Sequence, residues 1–94
     1  MNQPEYIITR ISHAAERFIR RRSRTVQGKI AQAFEYISTV SPFRHPNPTT
    51  IRRLHGKRQG QYRYRIEDIR IVYRVDRVRR EIEILEIDNR GDIY

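Results

Sequence analysis

The 94-residue sequence contains no cysteine. Disulfides and thiolate metal sites are therefore excluded, and a reducing compartment is the natural setting. No stretch approaches the roughly 18 consecutive apolar residues that a membrane span requires. The opening "MNQPEYIITR" lacks the basic and apolar regions of a secretory signal, so a cytoplasmic protein with no membrane partner is expected. Three histidines, His13, His45 and His55, show no paired spacing. Neither a metal site nor a cofactor is expected from such a set. Lysine is also scarce, with Lys29 and Lys57 the only two.

Arginine supplies almost all the positive charge. The formal net charge is +9, with a pI near 10.8. Such a balance draws polyanions: RNA, DNA, the ribosome or an acidic protein. Arginine in place of lysine adds a planar fork for phosphate and a flat face for bases. A merely solubilising surface would mix both signs and use more lysine.

The length suits one domain spanning residues 1–94. "EYIITR", Glu5 to Arg10, is rich in β-branched residues and reads as a first strand. Ser12 can cap a helix whose apolar stripe is Ala15, Phe18 and Ile19, ending at Arg20, Arg21 and Arg22. A second helix opens near Ser23 to Thr25 and carries Val26, Ile30, Ala33, Phe34 and Ile37 at helical spacing. It must stop before "SPFRHPNPTT", where three prolines forbid helix. After a basic turn bracketed by Gly56 and Gly60 come three strands, about Tyr62 to Glu67, Ile69 to Asp76 and Glu81 to Ile87. Their tight connections imply an antiparallel meander. The expected fold is α+β: an N-terminal strand and a helical hairpin packed on a small, mostly antiparallel four-stranded sheet.

Strand alternation sorts the charges. Tyr62, Tyr64 and Ile66 share one face with Ile69, Ile71, Tyr73 and Val75, which we assign to the core. Arg63 and Arg65 fall opposite, with Arg70, Val72, Arg74 and Asp76. "EIEILEI" shifts parity at Ile84-Leu85, which suggests a bulge. Glu81 and Glu83 can pair across the hairpin with Arg74 and Arg77. Arg63, Arg65 and Arg70 have fewer obvious partners, and three converging guanidinium groups make a candidate phosphate-binding face.

The segments "LHGKRQGQYRYRIEDIRIVYRVD" and "IEILEIDNRGDIY", covering Leu54 to Tyr94, resemble the RelE side of the RelE/ParE toxin superfamily. That resemblance implies a toxin of a toxin–antitoxin pair, an endoribonuclease that cuts mRNA, typically on the ribosome, without a metal. It implies silencing by a cognate antitoxin through an acidic segment, and operator DNA binding by the complex through that antitoxin. The family's cutting site maps onto Arg63, Arg65, Arg70, Arg90 and Tyr94, with Lys57 and Arg58 joining Arg63 and Arg65 in RNA binding. Asn89 stands where many relatives have histidine, and some relatives carry lysine where this chain has Arg63 or Arg65.

In that chemistry the RNA 2′-hydroxyl is the nucleophile. Arginines align it and neutralise the transition state. Tyr94 either acts as a base, its phenolate stabilised by guanidinium groups, or stacks on a nucleobase. Glu67 is a further candidate base. Two rivals remain: a non-nucleolytic, ParE-like toxin that binds gyrase, and a basic RNA- or ribosome-binding module without catalysis.

Overall fold

The computed structural model describes residues 5–89. Strand β1 (Ile7–Ile11) leads into helices α1 (His13–Arg20) and α2 (Arg24–Thr39). Strand β2 (Ile51–Arg53), a 3-10 turn (Gly56–Arg58), and strands β3 (Gln61–Ile66), β4 (Ile69–Asp76) and β5 (Glu81–Asn89) follow. The sheet order is β1-β5-β4-β3-β2. All neighbours are antiparallel except β1 and β5, which run parallel.

The α+β expectation holds, with two corrections. The sheet has five strands, because Ile51–Arg53 pairs with Tyr62–Tyr64 along the β3 edge. The first strand begins at Ile7, since Glu5 and Tyr6 instead donate their backbone N–H groups to the Ser38 carbonyl at the end of α2.

Both helices start where a serine replaces a missing backbone partner. Ser12 Oγ accepts from the Ala15 N–H at 3.1 Å, and Ser23 Oγ accepts from the Val26 N–H at 3.2 Å. Glu16 in the first turn of α1 and Arg17 and Arg20 in its last complement the helix dipole. Beyond the helix, the Arg22 guanidinium lies 4.0 Å over the Phe18 ring.

The core lies between the helices and one sheet face. Ile30, Ala33 and Ile37 of α2 and Ala15 of α1 join Ile51, Tyr62, Ile69, Ile71, Tyr73, Ile82, Ile84 and Ile87. Alternation along β5 breaks where expected. Tyr73 pairs with Ile84 while Val72 pairs with Glu86, so Leu85 is the extra residue of a bulge. Ser12 locks that point: its N–H donates to the Ile84 carbonyl at 3.0 Å and its hydroxyl donates to the Leu85 carbonyl at 2.8 Å. The parity change keeps Ile87 in the core and turns Glu86 and Asp88 to the other face.

A phenol enters the core at Tyr73. Tyr73 has no exposed surface, and its hydroxyl donates to the Pro42 carbonyl at 2.6 Å. This bond fastens the proline-rich loop to the central strand. Burial pushes the Tyr73 phenol far above its ordinary value of 10.0, with the neighbouring tyrosines adding to the shift. The unfolded chain therefore ionises first as pH rises. The stability this group contributes is complete below about pH 10 and drains away above it. We expect Tyr73→Phe to cost about 1–3 kcal/mol near neutral pH, because the Pro42 carbonyl loses its buried donor. The variant should also lose less further stability than the parent between neutral pH and about pH 11. Urea midpoints at the two pH values test both points, and parallel declines would refute the second.

Candidate nucleic-acid interface

The sheet face away from the helices carries the charges. Cross-strand register places Arg52 of β2 opposite Arg63 of β3, and Arg65 of β3 opposite Arg70 of β4. Like charges directly opposite one another destabilise a sheet unless counter-charge reaches them. Val72 sits among these groups with Arg63 on one side and Glu86 on the other, and is buried although it faces away from the helices.

Arg63, Arg65 and Arg70 each have a described contact. Arg63 donates through Nη2 to the Thr49 carbonyl at 2.6 Å. Arg65 donates through Nε to the Glu67 carbonyl at 3.3 Å. Arg70 lies 3.9 Å from the Asp88 carboxylate, with only 12% of its side chain exposed. The expectation that these three have few partners is thus corrected, because two of them engage backbone carbonyls. Such contacts aim the guanidinium groups without cancelling their charge.

The bulged β5 adds an acidic row that sequence reading weighed only at its first two members. Glu81, Glu83, Glu86 and Asp88 lie opposite Asp76, Arg74, Val72 and Arg70. Glu83 pairs with Arg74 at 3.6 Å, as expected, and with Arg10 at 3.9 Å. Arg77 does not join that row. Its guanidinium lies 4.1 Å over the Phe43 ring, near the Tyr62 hydroxyl, on the helix side. Arg80 pairs with Glu5 at 3.6 Å. The face is therefore graded: acids gather along β5 and toward the Asp76–Glu81 end, and positive charge gathers along β3 and β2.

Arg58 reaches this face from the 3-10 turn. Its Nη1 lies 2.9 Å from the Glu86 carboxylate and donates to Gln61 Oε1 at 3.4 Å. Lys57 is exposed on the same turn. Glu67 points elsewhere: both carboxylate oxygens bind Lys29 Nζ of α2, at 3.0 and 3.1 Å. Its backbone holds a left-handed φ of 51° at the β3–β4 turn, a conformation disfavoured for a residue with Cβ. A carboxylate tethered to a helix on the opposite side is poorly placed as a base for this face. Arg90 and Tyr94 lie outside the described residues.

Burial also decides which phenols can ionise. Tyr64, on the helix side, has its phenol raised above the ordinary value by desolvation and by Tyr36 beside it. Among the described residues no three histidine, aspartate or glutamate side chains gather as metal ligands. No described helix is long and apolar enough to cross a membrane.

Compared by sequence, the chain matches no family model and no curated protein. Compared by structure, a chain of the toxin–antitoxin complex RelBE2 from Mycobacterium tuberculosis aligns with a TM-score of 0.72 at 21% identity, over 94% of this chain and 100% of that one. A chain of the archaeal RelE–RelB complex from Pyrococcus horikoshii aligns with a TM-score of 0.72 at 20% identity, over 92% and 94%. A copper-bound mutant toxin from Helicobacter pylori aligns with a TM-score of 0.59 at 12% identity over both full chains. Two helices on this five-stranded mixed sheet are a RelE-like fold.

The Arg58–Glu86 contact makes a measurable statement about the face. Glu86→Gln removes one negative charge and releases Arg58 from its pair. On a heparin column the variant should elute at higher salt than the parent, and Arg65→Ala at lower salt. Coincident elution of Glu86→Gln and parent would show that the acidic row does not restrain polyanion binding.

Proposed function

We propose that this chain is a RelE-type toxin that cuts mRNA on the ribosome, without a metal, and is held silent by a cognate antitoxin. The observation that carries the reading is the opposed pair Arg65 and Arg70, with Arg63 beside them, on the helix-free face of a RelE-like sheet. Forcing like charges into direct register is costly in the free chain and favourable once a phosphate lies between them.

In the reaction, the 2′-oxygen of the RNA attacks the adjacent phosphorus and the bond to the 5′-oxygen breaks. Arg63 and Arg65, aimed by the Thr49 and Glu67 carbonyls, meet the phosphate oxygens and stabilise the charge that builds on them. Arg70 and Arg90 complete the cationic set. Arginine stays protonated at working pH and makes a poor base. The proton from the 2′-hydroxyl therefore passes to a Tyr94 phenolate, or Tyr94 stacks on the base and water takes the proton, while the departing 5′-oxygen is stabilised by Arg90 and takes its proton from that guanidinium or from water. An arrangement with no dedicated histidine depends on alignment, which the ribosome would supply by holding the message in place.

The antitoxin reading follows from the same charges. An acidic segment laid along β3 and β2 would occupy the phosphate positions and screen the opposed arginines. Such a complex should weaken as salt rises. Operator binding by the complex would then belong to the antitoxin.

RNA cleavage in a translation extract distinguishes this reading from a gyrase-binding toxin and from a simple RNA-binding module. Arg65→Ala should abolish growth inhibition and slow cleavage by about a hundredfold or more, equivalent to about 2.7 kcal/mol of transition-state stabilisation. Arg74→Ala should leave cleavage near the parent rate, since its contact with Glu83 is a surface pair worth at most about 1 kcal/mol. Tyr94→Phe distinguishes its two roles: retained cleavage means stacking, and a hundredfold loss means proton transfer. Intact message after incubation with the parent protein would overturn the ribonuclease reading.

A further inference from the structure

A second cationic site lies on the helix side of the sheet. Ser41, Phe43, Arg44, Arg53, Tyr62 and Arg77 line a hollow of about 400 Å³. Arg77 rests flat on Phe43 at 4.1 Å, and Phe43 meets the Tyr62 ring edge-on at 5.3 Å. Arg77 Nη2 donates to the Tyr62 hydroxyl at 3.5 Å, which fixes the guanidinium plane over the ring. Arg53 projects to this side because it pairs with Tyr62, a core-face residue. Arg44 follows Phe43 in a turn closed by Ser41 Oγ, which accepts from both N–H groups at 3.0 and 3.2 Å.

Three exposed arginines thus line one hollow together with the Phe43 and Tyr62 rings. None of the three has a carboxylate within ion-pair distance among the described residues. A second hollow of about 470 Å³, lined by Leu54, His55, Gly56, Gln59 and Gly60, shares Arg53 and Tyr62 with the first. Their shared lining sets the two hollows side by side at the β2–β3 end of the sheet, where together they make the candidate groove. Unlike the opposite face, it has no acidic row. The two basic residues of β2 divide between the faces, with Arg52 beside Arg63 and Arg53 beside Tyr62.

We propose that this groove is a second RNA-binding site, which holds a segment of single-stranded RNA distinct from the one on the Arg63–Arg65 face. Arg44 and Arg53 meet its phosphates, and a base stacks on the outer plane of Arg77, whose inner plane is already covered by Phe43. Stacking on a guanidinium or aromatic plane beside phosphate contacts is how single strands are held without sequence readout. An acidic peptide fits less well. It needs apolar anchors to add affinity to its charge, and the exposed large apolar residues Ile7, Val40 and Val78 do not line the groove. This inference extends the RNA target proposed above but does not require cleavage.

The test therefore uses RNA that cannot be cut. A labelled, fully 2′-O-methylated single-stranded oligonucleotide of mixed sequence is titrated with the full chain across a salt series, and binding is read by fluorescence anisotropy. The double variant Arg44→Ala/Arg53→Ala should bind severalfold more weakly. Its slope of log affinity against log salt should shrink by about 1.4, the amount expected for two lost single-strand phosphate contacts at about 0.7 each. Arg52→Ala/Arg65→Ala should weaken binding from the other face, and combining all four changes should multiply the two losses if the sites are separate. Phe43→Leu, checked for an unchanged circular dichroism spectrum, should weaken binding while keeping the parent's salt slope. An unaltered slope in Arg44→Ala/Arg53→Ala overturns the proposal. So does a poly-glutamate peptide that competes as well as RNA at equal charge, which would make the groove an acidic-peptide site. Loss of the ribonuclease reading would show as uncut message in extract and leave these titrations intact.

Discussion

Both charged surfaces depend on the hydrogen bond from the buried Tyr73 hydroxyl to the Pro42 carbonyl. A tyrosine at the centre of a five-stranded sheet must find an acceptor or bear the cost of an unsatisfied hydroxyl. It finds one at the start of a loop whose prolines leave few N–H donors of its own. Fixing Pro42 places Phe43 against Tyr62 and under Arg77, which shapes the helix-side groove. Further along the same loop, the Thr49 carbonyl accepts from Arg63, and the Thr50 carbonyl accepts from the Arg65 N–H at 2.8 Å. One core contact thus steers residues on opposite faces of the sheet.

A second constraint sits at the other side of the sheet. Were Leu85 paired regularly in the ladder and not bulged, strict alternation would carry Glu86 and Asp88 into the core and Ile87 out of it. Ser12 prevents this by binding the carbonyls on either side of the irregularity while capping α1. The same serine therefore sets the helix entry and the charge pattern of the far face. Glu86 then meets Arg58 and Asp88 meets Arg70, giving the arginines counter-charges that hold them extended.

What could be read from the sequence was whatever local pattern determines. Ser12 and Ser23 announced the caps, the Val26–Ile37 spacing announced α2, and the doubled apolar pair Ile84-Leu85 announced the bulge. Strand β2 was missed because "IRR" is too short to show alternation and exists only through its pairing with β3. The partners of Arg63 and Arg65 were missed for a different reason: backbone carbonyls carry no residue identity, so no side-chain pattern foretells them. Position in the hairpin points Arg77 to the glutamates, whereas the flat face of Phe43, brought in from the proline loop, takes it instead. That contact joins residues 34 positions apart, so local reading had no access to it.

The acidic row explains how so basic a chain can keep its arginines ordered and still release them. Surface pairs such as Arg58–Glu86 and Arg74–Glu83 are each worth at most about 1 kcal/mol, because water and salt screen them. A phosphodiester, which can receive two parallel hydrogen bonds from one guanidinium, competes well against a carboxylate held at this range. The carboxylates therefore lower the mutual repulsion of the arginines on this face, and the exposed pairs among them are weak enough to exchange for another anion. The helix-side groove lacks such carboxylates and uses an aromatic ring to hold Arg77 instead. An arginine on a ring keeps its full charge outward, so a polyanion meets at the groove cations with no carboxylate beside them, and at the opposite face cations such as Arg58 and Arg74 that must first leave one.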